Sequence, residues 1–284
     1  MTPRAVTPRA GTTPSRSIAA ACRAVLLARE PAAKVKAARA TARAWRRGEL
    51  DHRFETAMPE APAHPERPLL LPPNQMPRRG RGGSERGRLA LIHALAHIEF
   101  VAIDLAFDMA GRFGGEFPRG FVDDWIAVGA DEAMHHALLE RRLRAFGSFY
   151  GALPAHAGLW EAAGATGHHA LARLAVVPMV LEARGLDVTP ATAARFEAAG
   201  DAATARILQR IYIDEIRHVS AGTRWFGWSC ATRDISPADH WQDLVTRFFR
   251  GPLKPPFNDS AREAAGLTRD FYLPLAEGRS SGFS

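Results

Sequence analysis

Cysteine is nearly missing from this 284-residue chain: there are two, Cys22 and Cys230, far apart in sequence. Two isolated thiols exclude a disulfide framework and a cysteine-based zinc or iron–sulfur site, and they point to a reducing, cytoplasmic setting. Any metal must then be held by nitrogen and oxygen. Long hydrophobic runs are lacking as well: nothing approaches the roughly 20 apolar residues of a membrane span. The short apolar stretch Ile18 to Leu27 is interrupted by Arg23 and has no clear cleavage site, so neither a membrane anchor nor a secretory signal is expected. Strand-type alternation of useful length is also wanting, which leaves an all-α reading.

The formal charge of +7 is uneven. Residues 1 to 88 carry 18 Lys and Arg against 7 Asp and Glu, a surplus of +11 that leaves −4 for the remainder. Such basicity suits contact with phosphate or a membrane surface. The arginines are dispersed, however, and few aromatics interleave with them as stacking platforms, so nucleic acid is not favoured as a partner.

Taken in order, residues 1–14 are rich in Pro, Thr and Arg and read as a disordered tail. Ser15 or Ser17 can cap a helix through about Ala28, and Pro31 opens another to about Arg47. Residues 51 to 83 are Pro-rich and irregular, either a linker or a strap lying across the next domain, the apolar run Pro68 to Pro72 favouring the strap. Apolar residues at 3/4 spacing predict a helix from Glu85 to Ala110, ended by Gly111, Gly114 and Gly115, and a second from Pro118 to Phe146. A third spans Ala157 to about Arg184, with a kink at Pro178. Gly185 to Pro190 reads as a break, Thr189-Pro190 as the start of a piece to Ala199, and Asp201 as the cap of a helix to about Cys230. Ser236-Pro237 starts a last helix to Phe249, before an irregular tail. Three regions result: 1–84 (basic tail, helices and strap), 85–230 (main helical domain) and 231–284 (helix and tail).

Within the main region Asp-Glu-x-x-His occurs twice, at 131–135 and 214–218. Residues three apart share a helix face, so each Glu and His can reach one point in a core. A Glu from each of two further helices would complete the ligand set of a carboxylate-bridged metal pair. Glu99 and Glu182 are in place for it: Glu99 precedes Glu132 by 33 residues, and Glu182 precedes Glu215 by 33. A helical hairpin used twice is the simplest source of that equality. Four ionised carboxylates cannot share a core without countercharge, and two divalent ions would supply it. The candidate ligands are Glu99, Glu132, His135, Glu182, Glu215 and His218, with Glu132 and Glu215 bridging. His136 competes with His135, although Val219 at the matching place of the second copy favours His135. Asp131 and Asp214 are candidates for holding the imidazoles from behind. Three residues before the bridging glutamates stand Gly129 and Tyr212, which predicts one open side and one side carrying a phenol, Tyr212 being the candidate catalytic residue. His93 and His97 point away from the Glu99 face, His168 is too distant to join the cluster, and His169 has no evident partner.

This four-ligand pattern resembles the ferritin-like di-iron superfamily. More narrowly, Leu-Ala-Leu-Ile-His-Ala-Leu-Ala-His-Ile-Glu-Phe (89 to 100), Leu-Glu-Ala-Arg-Gly-Leu-Asp-Val-Thr-Pro (181 to 190) and Asp-Glu-Ile-Arg-His-Val (214 to 219) resemble the bacterial DUF455 proteins, over roughly residues 25 to 270. The resemblance implies a ferritin-like four-helix bundle built from two helical hairpins, holding two iron ions or an iron–manganese pair. It supplies no substrate. The leading expectation is an oxidoreductase or hydroxylase that activates dioxygen and acts on an unknown small molecule. The competing expectations are a non-enzymatic iron-binding or iron-handling protein, a tRNA-modifying hydroxylase by analogy of fold, and a scaffold whose metals only support the fold.

Overall fold

The computed structural model describes residues 16–76 and 84–278. The expected tail at 1–14, the Arg/Gly-rich run at 78–83 and the Gly-Ser ending after 278 lie outside them. Among the described residues the chain is mostly helical, with eleven α-helices and one two-residue parallel pairing of β1 (Arg16–Ser17) with β2 (Leu50–Asp51).

Helix α1 (Ile18–Leu26) begins where the Ser17 hydroxyl accepts from the Ala20 N–H, and α2 (Pro31–Arg46) opens on a proline whose missing N–H is not needed in a first turn. Lys34 on α2 is fully buried. Its ammonium donates to Val25 O and Leu26 O at the end of α1 and pairs with the buried Asp104 of α3 (Glu85–Phe113). One lysine thus ties three helices together. Ser84 caps α3, which is long and apolar enough to span a bilayer by composition, but is mostly buried inside the molecule.

Gly111 does not end α3 as expected; it lies inside the helix. A Cβ there would lie 2.5 Å from Met58 Sδ, and Gly114 is covered in the same way by the Phe54 ring. These glycines are notches for side chains from the Pro-rich segment, which runs on to pair Leu71 N–H with Ala155 O and Ala155 N–H with Leu69 O. After a short 3-10 turn the chain reverses into α4 (Arg119–Ala145). Glu99 stands 14 residues before the end of α3 and Glu132 13 residues after the start of α4, about 21 and 20 Å from the turn, so their carboxylates meet at one height.

The second half departs from the expected helix boundaries. The helix foreseen from Ala157 to Arg184 is broken at 166–169 into α5 (Gly158–Ala165) and α6 (Ala170–Val176), with His169 capping α6 by accepting from the Ala172 N–H. At Pro178 the ladder widens into a π-helical turn, Val177–Glu182, because proline has no N–H to close the α pattern. The turn leads directly into α7 (Ala183–Ala198), which passes through Gly185 and Pro190 without the expected break. Pro190 cannot donate to Leu186 O four residues earlier; Asn258 Nδ2 donates to that carbonyl instead, at 3.1 Å. Likewise Trp241 Nε1 donates to Ala175 O beside the π turn. Helix α8 (Ala202–Ala231) follows, capped by Asp201, and then α9 (Pro237–Phe248). The tail beyond it is not irregular throughout: α10 (Asp259–Ala264) and α11 (Arg269–Gly278) form there. Asn258, the cap of α10, thus supplies the donor that Pro190 lacks, a long-range dependence that local spacing cannot show.

Two apolar layers divide the space between the long helices. One includes Ile92, Ala96 and Phe100 of α3, Leu139 and Leu143 of α4, and Leu208 and Ile211 of α8. The other takes over at Ile103 on α3, ends at Ala133 on α4, and resumes at Val219 on α8. On all three helices, the acidic residues and histidines of the two motifs fall near the boundary.

The approach of α8 to the π turn needs Gly222, where a Cβ would lie 2.6 Å from Pro178 Cβ and 2.7 Å from its Cγ. A proline ring cannot swing aside. Gly222→Ala gains about 1 kcal/mol of helix propensity but incurs about 1–3 kcal/mol of overpacking, so urea denaturation of the metal-free protein is expected to show a net loss. Equal or greater stability would mean the two elements are not in contact.

Candidate metal centre

Glu99, Glu132, His135 and Glu215 are all buried, and each offers one ligand atom within 4.8 Å of the others, so the group could hold a metal ion. His218 joins through Glu132: its Nδ1 lies 2.9 Å from Glu132 Oε1 and 3.7 Å from Glu215 Oε2. His135 Nδ1 lies 3.2 Å from Glu99 Oε2 and 3.4 Å from Glu132 Oε2. Glu182 arrives at the end of the π turn; its side chain is partly exposed, but its Oε2 is buried without a partner.

Several of these contacts are close without being hydrogen bonds. Both oxygens of Glu132, Oε2 of Glu215 and of Glu182, and both ring nitrogens of His218 are buried with no hydrogen-bond partner of proper geometry. Atoms that crowd to 2.9–3.7 Å yet fail to point at one another are aimed at a shared point. Ligands about 2.1 Å from one ion, at right angles, lie about 3.0 Å apart, so the donor set fits small divalent ions.

The choice between His135 and His136 is decided by what each ring touches. His136 turns away, its Nδ1 2.8 Å from Ala96 O and its ring edge-on to Tyr150. His135 Nε2 lies 3.0 Å from Asp214 Oδ2, and His218 Nε2 lies 3.5 Å from Asp131 Oδ2. The support is crossed: the aspartate of each motif stands behind the histidine of the other. Arg210 and Arg217 both bond to Asp214, and Arg217 also reaches Asp131. His93 accepts from the Gly151 N–H, and His97 lies between Tyr150 Oη and His156 O, so both fasten the 150–156 segment to α3.

The Gly129 side is not open as expected. A Cβ at Gly129 would lie 2.6 Å from Phe107 Cε2; the phenyl ring fills the space. Tyr212 packs at the opposite side, its hydroxyl accepting from Asn258 Nδ2. Phe107 is a residue that sequence reasoning missed, as are Asp104 and Asp108. These aspartates share the α3 helix with Glu99 but are neutralised by Lys34, and by Arg112 and Arg173. Arg112 is four residues after Asp108 on the same helix, but no local spacing links the aspartates to Lys34 or Arg173.

The electrostatics describe a site that must bind protons or cations. Burial and the neighbouring Glu132 raise the Glu99 carboxyl well above its usual range, and burial with Glu215 and Glu132 does the same to Glu182. Burial also opposes the charging of His135, but the Asp214, Glu132 and Glu99 carboxylates around its ring overcome this and push it up to about 12. His218 is raised by Glu132 and Glu215 against the same opposition.

This fold and cluster define an all-α protein with a buried carboxylate–imidazole group able to hold metal. The chain matches the family described as protein of unknown function (DUF455) over residues 27–273, and it belongs to that family. It is 41% identical over 213 residues to a Haemophilus influenzae protein described as uncharacterized, covering 73% of this chain and 74% of that one. No solved structure matches the chain.

His135 and His218 hold protons in the absence of metal, and neutral imidazoles are needed to bind it, so loading at neutral pH is expected to release about two protons or more. Affinity therefore rises with pH through about 6–8; calorimetry in buffers of different ionisation enthalpy measures the release, and a proton-independent affinity would contradict it. Asp214→Asn removes the charge behind His135 and is expected to weaken metal binding by about 10–100-fold in a chelator competition.

Proposed function

We propose that the protein is a ferritin-like, carboxylate-bridged dinuclear metalloprotein, loaded with two iron ions or an iron–manganese pair and acting as a dioxygen-dependent oxidoreductase or hydroxylase. The observation that carries this reading is the set of partnerless buried oxygens and nitrogens on Glu132, Glu182, Glu215 and His218. In this reading Glu99, Glu132, Glu182 and Glu215, with His135 and His218, would hold the ions. Carboxylate oxygens with imidazole nitrogens suit iron or manganese, and no thiolate is near enough to select a softer metal. Reduced ions of this kind supply electrons to dioxygen when bound.

The chain's own residues set the conditions. Apolar layers on both sides keep water from the cluster. Of the candidate carboxylates, Glu182 has room to move, because it ends a π turn and is partly exposed; with Phe107 filling the Gly129 side, the substrate is taken to approach near Glu182. Tyr212, one turn before Glu215, accepts from Asn258, which leaves its own proton free to donate.

Metal analysis and an optical spectrum of anaerobically reduced protein, before and after air, test the proposal. About two iron or manganese ions per chain are expected, with a spectral change on oxygen exposure, both lost in Glu132→Ala/Glu215→Ala. Metal-free protein, or retention of metal by the double variant, would sink it. Accumulation of many irons per chain would move the reading to iron handling.

A further inference from the structure

A groove with a cavity of about 390 Å³ runs between α2 and a face of α4 roughly a quarter-turn from the carboxylates. Its lining holds four cations, Lys36, Arg39, Arg43 and Arg144, against one carboxylate, Glu140, which Arg144 already holds at 2.7 Å. Lys36, Arg39 and Arg43 are exposed on one face of α2. Among the described residues none of the three meets a carboxylate; Arg39 has only a 3.4 Å bond to Ala133 O. Arg119 and Arg224, elsewhere on the surface, do pair with acids, Asp123 and Asp124.

The groove also holds a polar group of a different kind. His136 is buried, with its ring tilted against Phe100 and edge-on to Tyr150. Its Nδ1 is fixed on Ala96 O, and its Nε2 has no partner among the described residues. A histidine edge that lines a concave site beside three cations meeting no carboxylate is a ligand contact in waiting.

The dimensions select among anions. Lys36 and Arg43 are seven residues, or about 10 Å, apart along α2. Two linked phosphoryl groups offer more oxygens along such a row than a single tetrahedral anion does, and guanidinium forks suit those oxygens. Apart from His136, the lining has no aromatic ring, so successive bases of a nucleic-acid strand would have nothing to stack on. We propose that the α2–α4 groove binds a small organic diphosphate of the nucleoside-diphosphate class, its phosphoryl oxygens on Lys36, Arg39 and Arg43 and its organic part reaching His136 Nε2. This site is separate from the carboxylate cluster and does not depend on the metal reading.

Calorimetric titration of the full chain with adenosine diphosphate tests it, with bound metal assayed before and after because diphosphates chelate. Saturable one-to-one binding is expected, falling at least about tenfold between about 50 and 300 mM salt. Inorganic phosphate is expected to bind at least about tenfold more weakly, because it spans less of the row. Arg39→Gln/Arg43→Gln is expected to lose at least about tenfold in affinity, with metal content and melting temperature unchanged. Absent binding, an unaltered affinity in the double variant, or equal affinity for inorganic phosphate would each overturn the proposal. So would an RNA hairpin that binds through these arginines and is not displaced by adenosine diphosphate, which would give the groove to a nucleic-acid backbone.

Discussion

The structure depends on how it neutralises carboxylates that it has taken out of water. An unpaired buried carboxylate costs several kcal/mol even after relaxation, and a whole domain is stable by only about 5–15 kcal/mol. Glu99, Glu132, Glu182 and Glu215 together would exceed that margin. The protein's remaining buried acids show its ordinary solution: Asp104 faces Lys34, Asp108 faces Arg112 and Arg173, and Asp187 faces Arg262. Among the described residues the glutamate cluster meets no Lys or Arg. It has two imidazoles, which meet the demand only by holding protons that they would otherwise lose on burial.

That contrast explains the placement of the surrounding parts. Two imidazolium charges cannot balance four carboxylates, so some glutamates must remain protonated, whereas two divalent ions with neutral imidazoles close the balance. The crossed pairs, Asp214 behind His135 and Asp131 behind His218, fix ring orientation from outside the cluster and join the two halves of the chain. Arg217 touches both aspartates without entering the core. Each motif is therefore completed only when the other is in place.

The sequence carries this logic where it is periodic. The repeated Asp-Glu-x-x-His and the equal 33-residue spacings place Glu99, Glu132, His135, Glu215 and His218 correctly on their helices, because a helical hairpin converts sequence distance into height. The same arithmetic misplaces the boundaries around Pro178 and Pro190. A proline normally ends a helix because a carbonyl loses its donor, and here Trp241 and Asn258 come from far along the chain to support that stretch. Gly129 is illegible for a related reason: a missing side chain signals space only until the neighbour is known, and the neighbour is Phe107.

The two halves are alike in ligand type but differ in backbone, and the difference bears on chemistry. Glu99 sits mid-way in a regular helix, 4% exposed, between Ala96 and Ile103 of the two apolar layers. Glu182 sits at the end of a π turn, where the ladder is already widened and the side chain is partly exposed. A carboxylate in the first setting has one place to be; a carboxylate in the second can change its position without breaking α-helical hydrogen bonds that were never formed. Symmetry in the ligand set thus gives the cluster its charge balance, and asymmetry in the backbone gives one side of it freedom to open.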